Sequence, residues 1–439
     1  MSNFDSIMKK ISDKTVVVGI IGLGYVGLPL AVSFARKGVT VLGFEKSDKK
    51  AAAVNAGKNY IADIQDDELK SVVAAGKISA TTDFSRIAEC EAAIICVPTP
   101  LDKFKKPDMK YIEASCTDIG KYMRPGTFIS LESTTYPTTT EDLMKPIIEK
   151  ESGLKEGSDF WLCFSPERVD PGNKDYKTEN TPKVVGALGE EAQKVAMALY
   201  GIAIKQLYPV SSPRAAEMVK ILENTYRLVN ISLVNELALL AGKMDINIWE
   251  VIEAAKSKPY GFQAFYPGPG IGGHCIPLDP FYLEYIAKGF NFDLTMINAA
   301  GNINNLMPHR MMSKIAFALN RHTKPLKGST ILFLGVAYKP DIDDARESPA
   351  LLVMEQVAKK GGNVIFHDPY ITEVKDDHGN EWVGVELSDE ILERADCVVF
   401  TTNHTCFDVD RIVSKAKLIV DTRNAVKRVH IEDEKVFKL

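Results

Sequence analysis

The sequence predicts an α/β protein in which two doubly wound parallel-sheet domains are joined by a central helical domain. Three observations carry this prediction. In the first half, short β-branched apolar runs alternate with helical stretches, and in the last third the same rhythm starts again. Between them, residues 211–243 have helical spacing of Ala, Leu, Val and Glu, with no proline after Pro213 and almost no glycine. Continuous apolar runs separated by helices denote strands covered on both faces, which is the condition for a parallel sheet.

Taken in order, Phe4, Ile7, Met8 and Ile11 share one helical face, read as a short helix packed on the first domain rather than a membrane anchor. Strands are expected at residues 16–21, 39–44, 93–97, 128–131 and 160–164. Ser211, Ser212 and Pro213 form a good helix start, and about thirty residues at ~1.5 Å each make a helix near 45 Å long. Such a helix can brace two domains and offer a surface to a second subunit. Residues 266–280 are rich in Gly and Pro, and 324–329 read as a linker. Strands return at 330–334, 363–366, 397–400 and 418–420. The 439 residues suit about three units at roughly 150 each, placed at 1–210, 211–323 and 324–439.

A net charge of -5 gives no reason to expect nucleic acid, and the basic clusters at 46–50 and 103–106 read as solvated surface. The seven cysteines (Cys90, Cys96, Cys116, Cys163, Cys275, Cys397, Cys406) are odd in number and never spaced Cys-x-x-Cys. With no secretory signal before the first strand, they indicate a reducing compartment, expected to be the cytoplasm, and neither a disulfide framework nor a zinc site. No apolar run approaches the ~20 residues needed to cross a bilayer. His274 lacks a partner at metal-ligand spacing, so no metal is expected.

The first strand runs into Gly22-Leu23-Gly24-Tyr25-Val26-Gly27, which opens a helix. This is the Rossmann-type fingerprint: the first glycine turns, the second admits a pyrophosphate to the backbone, and the third packs helix on strand. The helix N-terminus adds N–H groups and partial positive charge. Glu45, 18 residues after Gly27, ends the second strand, where a carboxylate accepts from ribose hydroxyls and repels a 2′-phosphate. The expected cofactor is therefore NAD, with Lys50 beside Glu45 counted among the cofactor positions. Pro98 and Thr99, after the third strand, and Thr134, after the fourth, fall at carboxyl ends that line the ligand crevice.

The stretch 268–280 carries Gly268, Gly270, Gly272 and Gly273 directly before His274 and Cys275, with Asp279 four residues on. Glycines let backbone approach a ligand and leave Cys275 at an exposed turn, and the apolar periodicity of a core element is missing. A reactive cysteine is the expectation.

With these residues together, the chain resembles the UDP-sugar 6-dehydrogenases, the UDP-glucose/UDP-mannose dehydrogenase family. The motifs in order are the glycine fingerprint, Glu132-Ser133-Thr134, Ser165-Pro166-Glu167-Arg168, Lys220 with Asn224, Gly272-Gly273-His274-Cys275, Gly335-Val336-Ala337-Tyr338-Lys339-Pro340 and Asp344-Ala345-Arg346-Glu347-Ser348. The resemblance implies that a primary alcohol is oxidised by NAD to an aldehyde, captured by Cys275 as a thiohemiacetal, oxidised again to a thioester and hydrolysed. It implies that Lys220 and Asn224 stabilise the oxyanion, that Asp279 with Thr134 holds a water, and that Glu167 assists hydrolysis. It places the UDP end on the last domain, with Lys339 and Arg423 on diphosphate or sugar groups. Arg346 then reaches the cofactor, its alternative being an ion pair with Asp343 or Asp344, and Arg168 seats the sugar or its loop. A homodimer through the long helix also follows from the resemblance.

Tyr266, Gly268 and Gly270 look like the branch acting on UDP-N-acetylhexosamines, since glucose-specific members carry a lysine where Tyr266 aligns. N-acetylglucosamine, as in O-antigen pathways, is the expected sugar, ahead of N-acetylmannosamine, N-acetylgalactosamine and glucose. Two other classes stay open at this point. A two-domain hydroxyacid dehydrogenase shares the Lys-x-x-x-Asn helix but needs no cysteine or third domain, and an NAD-binding sensor needs no catalytic set.

Overall fold

The structure, a computed structural model, describes the chain apart from residues 62–63, 103–105, 171, 174, 274, 377–378 and 428–433. His274 and most of the basic cluster at 103–106 thus lie outside the described residues. The chain packs as two compact units, one of Met1–Glu223 with Phe281–Asn291 and one of Asn224–Pro280 with Phe292–Leu439. The long helix, Pro213–Lys243, contributes residues to both.

The first unit is built on strands β1 (Val17–Ile21), β2 (Thr40–Phe44), β3 (Ile78–Thr81), β4 (Ala92–Ile95), β5 (Thr127–Leu131), β6 (Phe160–Phe164), β7 (Lys183–Ala187) and β8 (Leu207–Val210), in sheet order 3-2-1-4-5-6-7-8. Every pairing is parallel except β6 with β7. The order reverses at β1, the topological switch point where ligands bind outside the strands' carboxyl ends. Period-two alternation divides the side chains between two cores. Val18, Ile20, Ala92, Ile94, Trp161 and Cys163 enter one core, and Ile21, Ala93, Ile95, Leu162 and Phe164 enter the other.

All five strands expected in this half are present, with ends shifted by one or two residues. No strand was expected at β3, β7 or β8. β3 alternates with polar residues and β8 is a half-exposed edge, so neither shows the apolar run that marks a central strand. The N-terminal helix, Asn3–Ser12, starts on a capping box between Ser2 and Asp5. It buries Ile7 and Ile11, and Phe4 meets Trp161 edge-on, so its apolar face is spent on the first core as expected.

The second unit holds strands β9 (Thr330–Leu334), β10 (Asn363–His367), β13 (Cys397–Phe400), β14 (Ile419–Asp421) and β15 (Val436–Lys438), with a separate antiparallel pair β11 (Glu373–Lys375) and β12 (Glu381–Val383). The five-stranded sheet runs 10-9-13-14-15 and is parallel throughout. Alternation again splits it, with Ile331, Phe333 and Val399 on one face and Leu332, Leu334 and Val398 on the other. No helix among the described residues is long and apolar enough to cross a membrane.

Candidate active site

The glycine turn after β1 has the geometry its sequence requires. Gly22 has φ +92°, and a Cβ there would lie 2.7 Å from the Cys96 carbonyl oxygen. At Gly27 a Cβ would stand 1.9 Å from the Gly22 carbonyl oxygen, whereas at Gly24 it would meet nothing within 4 Å. The first and third glycines are therefore needed by the protein, and the second leaves the backbone open to a ligand. The helix Gly27–Arg36 begins at Val26 with no side-chain cap, which leaves its N-terminal face for an anion. Glu45 folds back from β2, accepting from Leu23 N at 3.3 Å and Ser47 N at 3.2 Å. Tyr60 donates to the Leu23 carbonyl at 2.8 Å; burial, then the nearby Glu45 charge, push its phenol up to about 12. The ammonium of Lys50 lies over the Tyr60 ring, so it serves the wall behind the turn. This cradle fits a dinucleotide with free ribose hydroxyls.

Tyr25 lines a cleft of the first unit with Glu167, Val169 and Tyr176. Thr99 accepts at its carbonyl from Tyr282, and Ser133 donates to the Val97 carbonyl at 2.7 Å, so the ends of β4 and β5 are tied in place. Pro98 is exposed and Thr134 half-buried on those same two ends.

In the same unit, the long helix turns Glu217, Lys220 and Glu223 to one side, as spacing by three requires. Lys220 Nζ donates to the Glu167 carbonyl at 2.6 Å, and Glu223 is forked by Arg168, whose other arm reaches the Pro182 carbonyl at 2.8 Å. Glu167 Oε1 accepts from Arg168 N and Val169 N, both at 2.7 Å, so the carboxylate closes its own turn. Glu217 accepts from Thr138 N at 2.7 Å, Thr140 N at 3.0 Å and the Thr140 hydroxyl at 2.7 Å. Burial pushes its carboxyl up to about 7 against those three donors. It latches the segment after β5, where Thr138 takes φ +87°, to the long helix.

The second unit gathers Asn224, Asp279 and Cys275. Asn224 donates through Nδ2 to Asp279 and accepts at Oδ1 from Arg227. Asp279 is buried, and its N–H donates to the Cys275 carbonyl at 2.8 Å, which closes the turn after the cysteine. Cys275 is half-buried, whereas Cys90, Cys96, Cys116, Cys163 and Cys397 are buried and burial pushes their thiols well up.

Two buried asparagines from helices hold the loop ahead of Cys275. Asn235 Oδ1 accepts from Gly268 N at 2.9 Å, and Asn304 Oδ1 accepts from Ile271 N at 2.7 Å. The glycines are wedged on the other side. A Cβ at Gly268 would lie 2.3 Å from an Arg423 nitrogen, at Gly270 2.9 Å from Pro349, and at Gly272 2.7 Å from the Glu347 carbonyl. Arg423 donates Nε to the Thr401 carbonyl at 3.0 Å, and burial without a carboxylate partner among the described residues lowers its pKa to about 10. Lys339 is half-buried in the turn after β9. Tyr266 stacks on Trp249 at 6.0 Å and donates to Glu253 at 2.7 Å. Arg346 takes the second of its two expected settings. Its guanidinium forks Asp344 at 2.8 and 2.6 Å instead of extending toward a cofactor.

Glu217, Asn235 and Asn304 escaped sequence reasoning because a polar residue on a long helix reads as solvated. Only their apolar neighbours hint at burial. No cluster that could hold a metal occurs among the described residues.

A doubly wound sheet with an open glycine turn, together with a cysteine loop and a Lys-x-x-x-Asn helix, defines a nicotinamide-dinucleotide oxidoreductase. Three consecutive segments match the UDP-glucose/GDP-mannose dehydrogenase family: its NAD binding domain at residues 16–204, its central domain at 214–306 and its UDP binding domain at 332–428. The chain belongs to this family and is an NAD-dependent UDP-sugar dehydrogenase; the family description pairs mannose with GDP, not with UDP as the resemblance had it. It is 34% identical to the UDP-N-acetyl-D-mannosamine dehydrogenase of Pyrococcus horikoshii, over 93% of this chain and 96% of that one. It is also 34% identical to the UDP-N-acetyl-D-glucosamine 6-dehydrogenase of Pseudomonas aeruginosa, over 82% and 84%. Among solved structures, the P. horikoshii mannosamine enzyme superposes with a TM-score of 0.87 at 33% identity, covering 96% of this chain and 98% of that one. An NDP-N-acetyl-D-galactosaminuronic acid dehydrogenase from Methanosarcina mazei Go1 gives 0.83 at 33%, covering 100% and 97%.

Proposed function

We propose that the protein oxidises the C6 alcohol of a UDP-N-acetylhexosamine, first of all UDP-N-acetylglucosamine, to the uronic acid, with Cys275 as covalent nucleophile. The alcohol loses a hydride and a proton to become an aldehyde, and the Cys275 thiolate adds to that carbonyl as a thiohemiacetal. Loss of a second hydride and proton leaves a thioester, which water cleaves to carboxylate and thiol. Bound NAD supplies the acceptor for each hydride, two per sugar.

Asp279, held by Asn224, takes the proton of the alcohol or its water, with Thr134. Lys220 and Asn224 donate to the oxyanion, an interaction worth about 3–4 kcal/mol when such a donor is lost. Glu167 assists hydrolysis, and Arg168, fixed by Glu223, keeps its loop in place. The guanidinium of Arg423, which has no carboxylate partner among the described residues, takes the UDP end with Lys339, while Arg346 exchanges Asp344 for the cofactor's phosphates. The observation that carries this reading is the Cys275 loop, a glycine-rich segment whose cysteine escapes the core and whose turn closes on Asp279.

Tyr266 supports the N-acetylated branch, because its stacking on Trp249 fills the place where glucose-specific relatives carry lysine. The relatives' names divide among N-acetylglucosamine, N-acetylmannosamine and N-acetylgalactosaminuronic acid, so the sugar is decided by assay. NADH formed per sugar consumed is measured on UDP-N-acetylglucosamine, on its N-acetylmannosamine and N-acetylgalactosamine isomers and on UDP-glucose. Two NADH with UDP-N-acetylglucosamine is the expected result; one NADH per sugar would remove the four-electron reaction, and preference for another sugar would move the branch.

The division at 1–210, 211–323 and 324–439 assigns cofactor, dimerisation and UDP-sugar binding in turn. The long helix exposes Leu222, Tyr226, Leu233, Leu237 and Leu240, spaced four, seven, four and three apart, which is one apolar stripe. It fits a second copy of this chain. Wild type should sediment as a dimer and Leu237→Glu as a monomer; a wild-type monomer, or an unchanged variant, would discard this interface. Seven cysteines outside any disulfide suit a reducing cytoplasm, and a nucleotide uronic acid suits surface-polysaccharide synthesis of the O-antigen or lipopolysaccharide kind.

A further inference from the structure

Beneath the Ser165-Pro166-Glu167 turn, the central sheet carries a charged pair that none of these roles uses. Glu132 follows β5 and Lys183 opens β7, on either side of β6, whose carboxyl end leads into the turn. Lys183 Nζ lies 2.7 Å from Glu132 Oε2, with side chains only 6% and 0% exposed. The same ammonium donates to the Pro166 carbonyl at 3.3 Å and sits over the Tyr200 ring. Glu132 Oε1 is buried with no partner among the described residues. On the next residue, Lys220 donates to the Glu167 carbonyl at 2.6 Å. Two consecutive carbonyls are thus gripped by two ammonium groups from different elements.

A buried ion pair is a poor source of stability, since apolar side chains of equal volume commonly do as well or better. What it supplies here is direction and charge. We propose that Lys183, held by Glu132, is a positioning residue for Glu167, fixing the Pro166–Glu167 peptide while the pair stays neutral overall. The inference rests on the reading that Glu167 assists thioester hydrolysis. Burial raises the Glu132 carboxyl, the Lys183 charge opposes that rise, and Glu167 adds to it. Burial works to lower the Lys183 pKa, and the charges of Glu132 and then Glu167 outweigh it and raise it. Among the described residues, the other titratable or charged groups around the pair and the turn are Cys96 after β4, Cys163 on β6, Tyr200 on the helix Gly189–Ala203, Lys220 and Glu223 on the long helix and Arg168 in the turn.

The two single substitutions upset this balance in opposite senses. Glu132→Gln leaves an unopposed ammonium beneath the turn, which favours negative charge there; Lys183→Met leaves an unopposed carboxylate, which disfavours it. The test uses the whole enzyme with NAD and the UDP-sugar it turns over best, reading kcat, KM and the acid limb of kcat against pH. Both variants should lose about 10- to 100-fold in kcat, with KM for the sugar held within about threefold. The acid limb should move to lower pH in Glu132→Gln and to higher pH in Lys183→Met, and Lys183→Arg should recover most of the rate. If a single variant does not fold, the neutral double variant decides. Lowered kcat with an unshifted limb supports the inference, and wild-type kcat overturns it. Limbs that stay put, or move together, also overturn it. Glu167→Gln runs alongside: if it is slow while Lys183→Met behaves as wild type, only the positioning role falls. If Glu167→Gln hydrolyses normally, the hydrolysis reading falls and takes the positioning role with it.

Discussion

Replacing Cys275 by alanine is expected to abolish the second oxidation. NADH per sugar should fall from two to one or none, and kcat/KM for the acid-forming reaction should drop by about 10³-fold or more, ~4 kcal/mol of barrier. The aldehyde has no other sulfur to capture it at this loop. Five of the remaining six cysteines are buried, their thiols held protonated by desolvation, and Cys406 lies beyond β13 on the last sheet. The loop is held through the Cys275 carbonyl, Asn235 and Asn304, none of which the substitution removes. The variant should therefore melt with the wild type and bind UDP-sugar normally, and any loss can be charged to chemistry. Product analysis for aldehyde, beside the NADH count, is the measurement. A variant that still forms uronic acid at the wild-type rate would end the covalent mechanism.

Gly27→Ala should give the second large effect, and propensity argues the wrong way. In a helix, alanine is favoured over glycine by about 1 kcal/mol. Here the new Cβ would lie 1.9 Å from the Gly22 carbonyl oxygen and 3.1 Å from Cys96 Cβ. Backbone of the turn itself is the obstacle, so no side chain can swing away; the helix must retreat from β1. Overpacking of this kind costs about 1–3 kcal/mol, roughly 3–10 °C in melting temperature for a unit of this size. NAD affinity should fall at least about tenfold, because the N-terminal N–H groups lose their aim at the diphosphate. Gly24→Ala is the contrast, since its Cβ meets no protein atom within 4 Å. That variant should keep its melting temperature and lose NAD affinity alone. Wild-type NAD binding and melting in Gly27→Ala would refute the close-packing role.

Much of this was legible in the sequence because it depends on local rules. The glycine fingerprint states a turn that only glycine can make, and the apolar runs of β1, β4, β5, β6, β9 and β13 state strands buried on both faces. The proline-led start of Pro213–Lys243 states a helix end. Cys275, Asp279, Lys220 and Asn224 stood out through their spacing and through resemblance. What the sequence did not contain was the identity of long-range partners. Lys183 in a β-branched run and Glu132 after β5 carry no mark of each other across 51 residues. Asn235 and Asn304 each reach a loop N–H 33 residues away, and Glu217 reaches Thr140 across 77. The antiparallel entry of β7 and the closure of Arg346 on Asp344 belong with these. Backbone turns and burial periodicity are short-range properties, set by sterics and by the repeat of the helix or strand. A buried polar group is satisfied by whatever the finished fold brings to it, and only the tertiary structure decides what that is.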